Sequence, residues 1–249
     1  MRSIAETRRL PGNGRRWARV PPPKAAGLVA ALLLLPACAT TVLLSNDFED
    51  YDEGTPLVGP IPGAPSGDGI LSAAPGVSLV TATIPNVFSG RVMRVVGLVA
   101  FEPRDHTAPE DYQIVWTGSH EDAAASAVDT TIRFLDASDD AALVLRMDGS
   151  NLDVVGDNRF SVGNPVFNHT FSVILHMSAP CTDGAGEEET GCFELTFTEH
   201  FVDDSETSSF PPGAFRDSIF SKLDRIEIEA HSGNPYRMDN LRVLARYPD

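Results

Sequence analysis

From Gly76 onward the chain is written almost entirely in short runs where apolar and polar residues take turns. The runs "GVSLVTATI" (76–84), "RVMRVVGLVAF" (91–101), "YQIVWTG" (112–118) and "TTIRFLDA" (130–137) come first. "AALVLRMDG", "NLDVVGD", "TFSVILHMS", "CFELTFTEHF", "KLDRIEIEA" and "YRMDNLRVLA" follow. Most are rich in Val, Ile, Phe and Thr with a period of two, which predicts half-buried strands. Asp148-Gly149, Gly156-Asp157-Asn158 and Ser232-Gly233-Asn234-Pro235 supply turn chemistry between them. No stretch holds a 3.6 period beyond two turns, and "EDAAASAV" (121–128) is at most one short helix. Residues 54–76 are dense in Gly and Pro and predict an irregular strap with no regular element. Ten or so strands with turn punctuation imply an all-β, two-sheet antiparallel sandwich.

The first 37 residues break this pattern. They hold Arg2, Arg8, Arg9, Arg15, Arg16, Arg19 and Lys24 against the single acid Glu6, followed by the apolar run "AAGLVAALLLLPAC". About 13 apolar residues are too few to span a bilayer, which takes roughly 20. A basic start, a short apolar run and small residues at its end read as a secretory signal peptide. Of the chain's 19 basic and 35 acidic residues, 12 and 34 remain beyond this segment, a net charge of −22. So acidic a domain is ill-suited to nucleic acid, whose phosphates demand basic surface, and to anionic headgroups. Cys181 and Cys192 bracket the polar stretch "TDGAGEEETG" between two alternating segments. In an exported protein two cysteines at the mouth of a hairpin are expected to pair. Closing such a loop is worth about 3 kcal/mol in the chain-entropy model.

Two resemblances sharpen the picture. Leu35-Pro36-Ala37-Cys38 resembles a bacterial lipobox, although Pro36 is unusual there. That resemblance implies that residues 1–37 are removed and that Cys38 becomes the lipid-modified first residue. It places the protein in the cell envelope, and Ala39 after the cysteine favours the outer membrane. Residues 38–42 would then form a short tether, reaching about 17 Å when extended, before one domain spanning 43–249. "NDFEDYDEGTPL" (46–57) and the late "YRMDNLRV" (236–243) resemble the two ends of a concanavalin A-like or laminin-G-like jelly roll. In such domains the early Asp-Phe-Glu begins the first strand and the late motif forms the last strand, paired beside it. Binding modules, lectins, hydrolases and lyases share this architecture, so fold does not choose a function.

The jelly-roll resemblance implies a structural Ca²⁺ held by Asp239 with an early acid, Asp47 or Glu49, and backbone carbonyls completing an oxygen shell. If the last strand is regular, Asp239 shares the apolar face of Leu241, Val243 and Ala245. An inward carboxylate there needs backbone donors or a cation. For sugar binding the expected device is an aromatic platform, and Tyr112 and Trp116 are the candidates if their face lines an open sheet; otherwise they are core. Glu227 and Glu229 on "Arg225-Ile226-Glu227-Ile228-Glu229" superficially resemble the acid strand of jelly-roll glucanases. Arg225, however, stands where the nucleophile belongs, and the shifted register puts His231 or Ser232 at the acid position. Residues two apart on a strand lie about 6.6 Å apart, a spacing glycosidases also use. The plainer reading turns Ile226 and Ile228 inward and the two glutamates to water. Ser119-His120-Glu121-Asp122 carries only a weak metal signal. The expectation is a lipid-anchored, non-catalytic binding or surface-structural sandwich whose ligand is a glycan. The alternative is a divergent polysaccharide hydrolase or lyase.

Overall fold

The computed structural model describes residues 40–51, 57–60, 69–84, 88–121, 129–148, 151–155, 159–162, 170–178, 181–182, 188–189, 192–200, 205–214, 222–231 and 233–247. Residues 1–39, with the expected signal segment and Cys38, lie outside them. The described residues form a jelly-roll β-sandwich of two antiparallel sheets.

The first sheet contains β1 (Thr40–Asn46), β4 (Ser78–Ile84), β5 (Phe88–Val95), β7 (Asp111–His120), β12 (Thr170–Ser178), β15 (Cys192–His200), β16 (Ser205–Ala214) and β18 (Tyr236–Arg246). Its order is β16-β15-β12-β7-β18-β5-β4, with β1 also on β18. The second sheet contains β2 (Gly59–Pro60), β3 (Gly69–Ala73), β6 (Gly97–Glu102), β8 (Asp129–Leu135), β9 (Ala141–Asp148), β10 (Asn151–Val155), β11 (Arg159–Val162) and β17 (Arg225–Ala230). It is ordered β11-β10-β9-β8-β17-β6-β3-β2. A separate ribbon pairs β13 (Cys181–Thr182) with β14 (Glu188–Glu189). Inward residues of both sheets, among them Leu44, Phe101, Ile114, Phe134, Leu195 and Val243, are fully buried in one core. Such burial contributes roughly 1.5–3 kcal/mol per large apolar side chain.

Several sequence expectations change. The run 91–101 is two strands: β5 lies in the first sheet and β6 in the second. Gly97, at φ +85°, turns the corner between them, and a Cβ there would sit 3.0 Å from the Ala74 Cβ. That backbone region is open to glycine at little cost. The Gly/Pro-rich segment 54–76 is not wholly irregular, because β3 pairs with β6 at the sheet margin. Beyond β3, the two-residue β2 (Gly59–Pro60) forms the edge, where proline is tolerated because one side of the ladder needs no partner. Residues 40–42, expected as tether, already belong to β1, so Ala39 alone separates Cys38 from the sheet. Asp47-Phe48-Glu49 follows the first strand instead of opening it, with Phe48 at φ +61°. The last strand does pair beside the first, Thr40 opposite Arg246 through Asn46 opposite Leu241.

That last strand is not regular. The β18–β7 register shifts between Asp239 and Arg242, and Asn240 takes φ +54°. The shift lies where β18 exchanges neighbours along one edge: β5 accompanies Tyr236–Met238, and β1 accompanies Leu241–Arg246. Asp239 therefore does not share the apolar face of Leu241, because the bulge flips the alternation. It lies opposite Thr117, whose Oγ1 donates to the Asp239 carbonyl at 3.0 Å.

Candidate functional site

The polar face of the second sheet carries the most developed constellation. Strands β9, β8 and β17 are neighbours, and their register aligns Arg146 with Thr131 and Thr131 with Glu229. One step along, Arg133 stands opposite Glu227. The alternation Ile226, Ile228, Ala230 buries one face of β17, leaving the glutamates on the other. Arg133 donates from Nη2 to Glu229 at 2.8 Å, and its Nη1 lies 3.9 Å from Glu227. Glu227 also pairs with Arg225 Nε at 3.0 Å. The glutamates are thus a solvent-facing, arginine-bound pair. One guanidinium serves both, which leaves neither carboxylate poised as nucleophile or acid.

Beside them runs a groove of about 690 Å³, a size that suits a small-molecule or oligomer site. Thr131, Arg133, Arg146, Glu229 and His231 form its polar wall. Ala74, Pro75, Gly76, Val96, Gly97 and Ala230 form a small-residue apolar wall. The apolar wall comes from the β3–β4 turn and the β5–β6 corner, so Gly97's tight packing on Ala74 shapes it directly. The Gly233 amide donates to His231 Nδ1 at 3.2 Å, which puts the neutral ring's proton on Nε2. No periodicity marks this groove in advance, because its parts come from five separated segments.

Tyr112 and Trp116 do not form an aromatic platform. They are 0% and 2% exposed and belong to the core between the sheets. The Trp116 indole donates to the Tyr236 hydroxyl at 3.0 Å, and the Tyr112 hydroxyl accepts the Leu223 amide at 3.2 Å. Period two told which residues share a face, and the inner face proved to be theirs.

The charges of Asp47 and Glu49 act on Asp239 where β18 changes neighbour. Asp239 is 7% exposed. It accepts the Asn240 amide at 2.7 Å and the Asn240 Nδ2 at 2.9 Å. Burial pushes its carboxyl up to about 6; the Asn240 amide opposes this, and the Asp47 and Glu49 charges add to it. Glu49 accepts the Arg91 amide at 2.8 Å, on the stretch of β5 that β18 has left. It fills the space beside Gly90, where a Cβ would fall 1.7 Å from its Oε1. Among the described residues, no group of three or more His, Cys, Asp or Glu side chains is gathered closely enough to hold a metal ion. Ser119 and His120 are buried on β7 and Glu121 is paired with Arg94 and Arg237, while Asp122 lies outside the described residues.

A second, smaller hollow of about 200 Å³ lies over the first sheet, lined by Asp111, His176 and Arg246 among others. Asp111 receives His176 Nε2 at 3.0 Å and Arg246 Nη2 at 3.1 Å, tying β7 to β12 and β18. The Asp111 hydrogen bond raises the His176 pKa; burial and Arg246 oppose this, while Glu194 adds to it. A raised imidazole pKa stabilises the fold fully below the ordinary value of 6.5, and that contribution is lost as pH rises through the folded value. His176→Gln is therefore expected to lose the wild type's decline in stability between pH 6 and 8, read from urea midpoints at each pH. An unchanged decline would assign it elsewhere.

Cys192 opens β15, is buried and is disulfide-bonded; the side chain of Cys181 is outside the described residues.

No family model matches the chain, and no curated protein matches it in sequence. Among solved structures it is similar to the carbohydrate esterase vb_24B_21 from the Shiga toxin-encoding bacteriophage phi24B. The identity is 12% and the TM-score 0.50, over 83% of this chain and 99% of that one. It is also similar to lectin II from Ulex europaeus, with 7% identity and TM-score 0.43 over 69% and 98% of the two chains. A third likeness is the CBM2 module of the evolved Dit of Lactobacillus casei BL23 phage J-1, with 10% identity and TM-score 0.44 over 84% and 97%. At these identities the likeness is one of fold alone.

Proposed function

We propose that this protein is an exported, lipid-anchored, non-catalytic glycan-binding sandwich, and that the Arg133–Arg146–Glu229–His231 groove is its binding site. The observation that carries this is the groove's two-sided lining. A sugar ring presents an apolar C–H face and a polar hydroxyl rim. The Pro75 and Val96 wall offers contact for the first, and the arginine, threonine and histidine wall offers hydrogen bonds for the second. Fixed arginine–glutamate pairs position donors without catalytic acids, which favours binding over hydrolysis. The neighbours named as a lectin, a carbohydrate-binding module and a carbohydrate esterase are in keeping with a glycan ligand.

The lipid anchor is assigned to Cys38 by its lipobox, after removal of residues 1–37. Since β1 starts at Thr40 opposite Arg246, the anchored end is the Thr40 end of the first sheet. The groove lies toward the other end, by the β17–β18 connection that precedes Tyr236. The ten residue steps of β18 span about 33 Å, so this reading turns the groove away from the bilayer. Cys181 is the partner we assign to Cys192. We also propose a structural Ca²⁺ that would draw Asp239 together with Asp47 and Glu49, hard oxygen donors that as they stand are not gathered closely enough to hold one. Bound there, the ion would stabilise the fold and do no chemistry.

Native electrophoresis of residues 39–249 through gels containing a panel of polysaccharides tests the glycan reading. Retardation by at least one polymer is expected, abolished by Arg133→Ala with the melting transition retained. No retardation by any polymer would leave the reading without support.

A further inference from the structure

We propose that this chain pairs with a second copy of itself through the outer edge of β4, in an antiparallel two-fold dimer centred on Thr81. A strand at a sheet margin presents a row of backbone donors and acceptors, a template for another strand unless something blunts it. The other margins among the described residues are blunted. β2 is two residues long and ends in Pro60. β11 has four residues and opens with Arg159. β16 carries Glu206 and the pair Pro211-Pro212, which have no amide to donate. β1 is bulged, and there the Arg104 amide donates to the Leu43 carbonyl at 2.8 Å and its guanidinium to the Val42 carbonyl. Where β18 leaves β5, the Glu49 side chain accepts the Arg91 amide. β4 has none of these devices. It ends the first sheet with β5 as its one described neighbour. Its seven residues, SLVTATI, hold no charge, no proline and no glycine, a composition that favours strand pairing.

Register and charge point to a second copy as the partner. An antiparallel pair centred on Thr81 sets Thr81 against itself, Val80 against Ala82, Leu79 against Thr83 and Ser78 against Ile84, so every residue meets an uncharged one. Val80, Ala82 and Val92 form a small apolar cluster apart from the main core. Pairing Val80 with Ala82 across the axis joins two such clusters, and cross-strand apolar pairs are what stabilise a sheet. Beyond residue 37 the chain holds 12 basic and 34 acidic residues, so two copies repel over most of their surfaces and approach with least repulsion at an uncharged margin. Arg91 stands opposite Thr81 on β5. Three strand spacings, about 14 Å, would part it from its counterpart, more than the screening length of about 8 Å. With the other margins blunted, the two-fold pairing uses up the template and closes. A seven-residue ladder lies at the small end of specific interfaces, so a micromolar dimer is expected.

Sedimentation equilibrium of residues 39–249 is the test. The weight-average mass is expected to rise toward twice that of the monomer as concentration goes from micromolar to near-millimolar, and more readily at higher salt. Thr81→Lys, at an exposed position on the edge, is expected to weaken association ten-fold or more while the melting transition stays in place. Directly opposed residues of an antiparallel pair have Cα atoms about 4.5–5.5 Å apart, within disulfide reach. Thr81→Cys is therefore expected to cross-link two copies under mild oxidation, and Leu71→Cys, exposed on β3 of the other sheet, is not. A monomer at every concentration overturns the inference. So do association that Thr81→Lys leaves intact, equal cross-linking at the two positions, and growth beyond the dimer.

Discussion

Replacing Trp116 by alanine is expected to lower the stability of the domain by about 4 kcal/mol, in the range for emptying a buried aromatic site. The indole is 2% exposed between the two sheets and packs in the same core cluster as Tyr112 and Tyr236. The substitution leaves a cavity that strands anchored on both sides cannot readily close, and removes the hydrogen bond to the Tyr236 hydroxyl. For a domain of this size about 1 kcal/mol moves Tm by roughly 2–4 °C, so a fall of roughly 8–16 °C is expected. Trp116→Phe, which keeps most of the volume, should fall by less than half as much. Thermal unfolding followed by circular dichroism measures both. The opposite result, an unchanged Tm with loss of polysaccharide retardation, would restore Trp116 to a binding platform and contradict its burial.

Trp116 also shows what alternation can and cannot tell. The period-two pattern located β7, β8, β9, β12, β15, β17 and β18 because each buries one face, and burial writes itself into every second residue. It paired Tyr112 with Ile114 and Trp116 correctly on one face, but which face meets the core depends on neighbours distant in the chain. For β17 the same logic sufficed: Ile226 and Ile228 are apolar, Glu227 and Glu229 charged, and only one choice avoids burying acids. Gly97 was hidden for a different reason. Valine and leucine flank it on both sides, so the run 91–101 reads as one strand, although its halves belong to opposite sheets. The β3 strand was masked by the glycines and prolines around it, two of which, Gly59 and Pro60, form the edge strand β2.

The candidate groove was the least legible element. Its lining draws on turn residues near 75, a corner at 97, two strands around 131–133 and 146, and the end of β17. None of these carries a spacing that marks a site, and Arg133 and Arg146 look like ordinary solvated strand residues. Their significance appears only when register sets β9, β8 and β17 side by side. The acids near the two ends of the chain were easier. A carboxylate on the apolar face of the last strand, and two more expected to begin the first strand, had a shared place by resemblance to jelly rolls in which those strands pair. The bulge at Asn240 takes Asp239 off the apolar face, and the three acids are not gathered closely enough to hold a metal ion.

Those three acids lead to the second large expected effect. The Asp239 carboxyl is pushed up to about 6 from an ordinary 3.8, by burial and by the Asp47 and Glu49 charges. A folded-state pKa above the unfolded one means that the native protein holds its proton more tightly. Below 3.8 both states are protonated and this group adds no pH dependence; as pH rises from there to about 6, stability falls. The shift corresponds to about 3 kcal/mol lost by the time the carboxylate is fully charged. In chelator, therefore, urea midpoints should decline between pH 4 and 6.5. Asp239→Asn should remove most of that decline and be the more stable protein at pH 8. Millimolar calcium should reverse the ranking if, as proposed, the ion draws Asp47, Glu49 and Asp239 together, because only the wild type offers all three acids. Stabilisation of the wild type at pH 8 by calcium but not by potassium, and its loss in Asp239→Asn, is the expected pattern. If calcium leaves both midpoints unmoved, the Asn240 and Arg91 amides that now bond Asp239 and Glu49 are their whole complement. Asp239 is then a turn carboxylate, held at a cost to stability that the bulge requires.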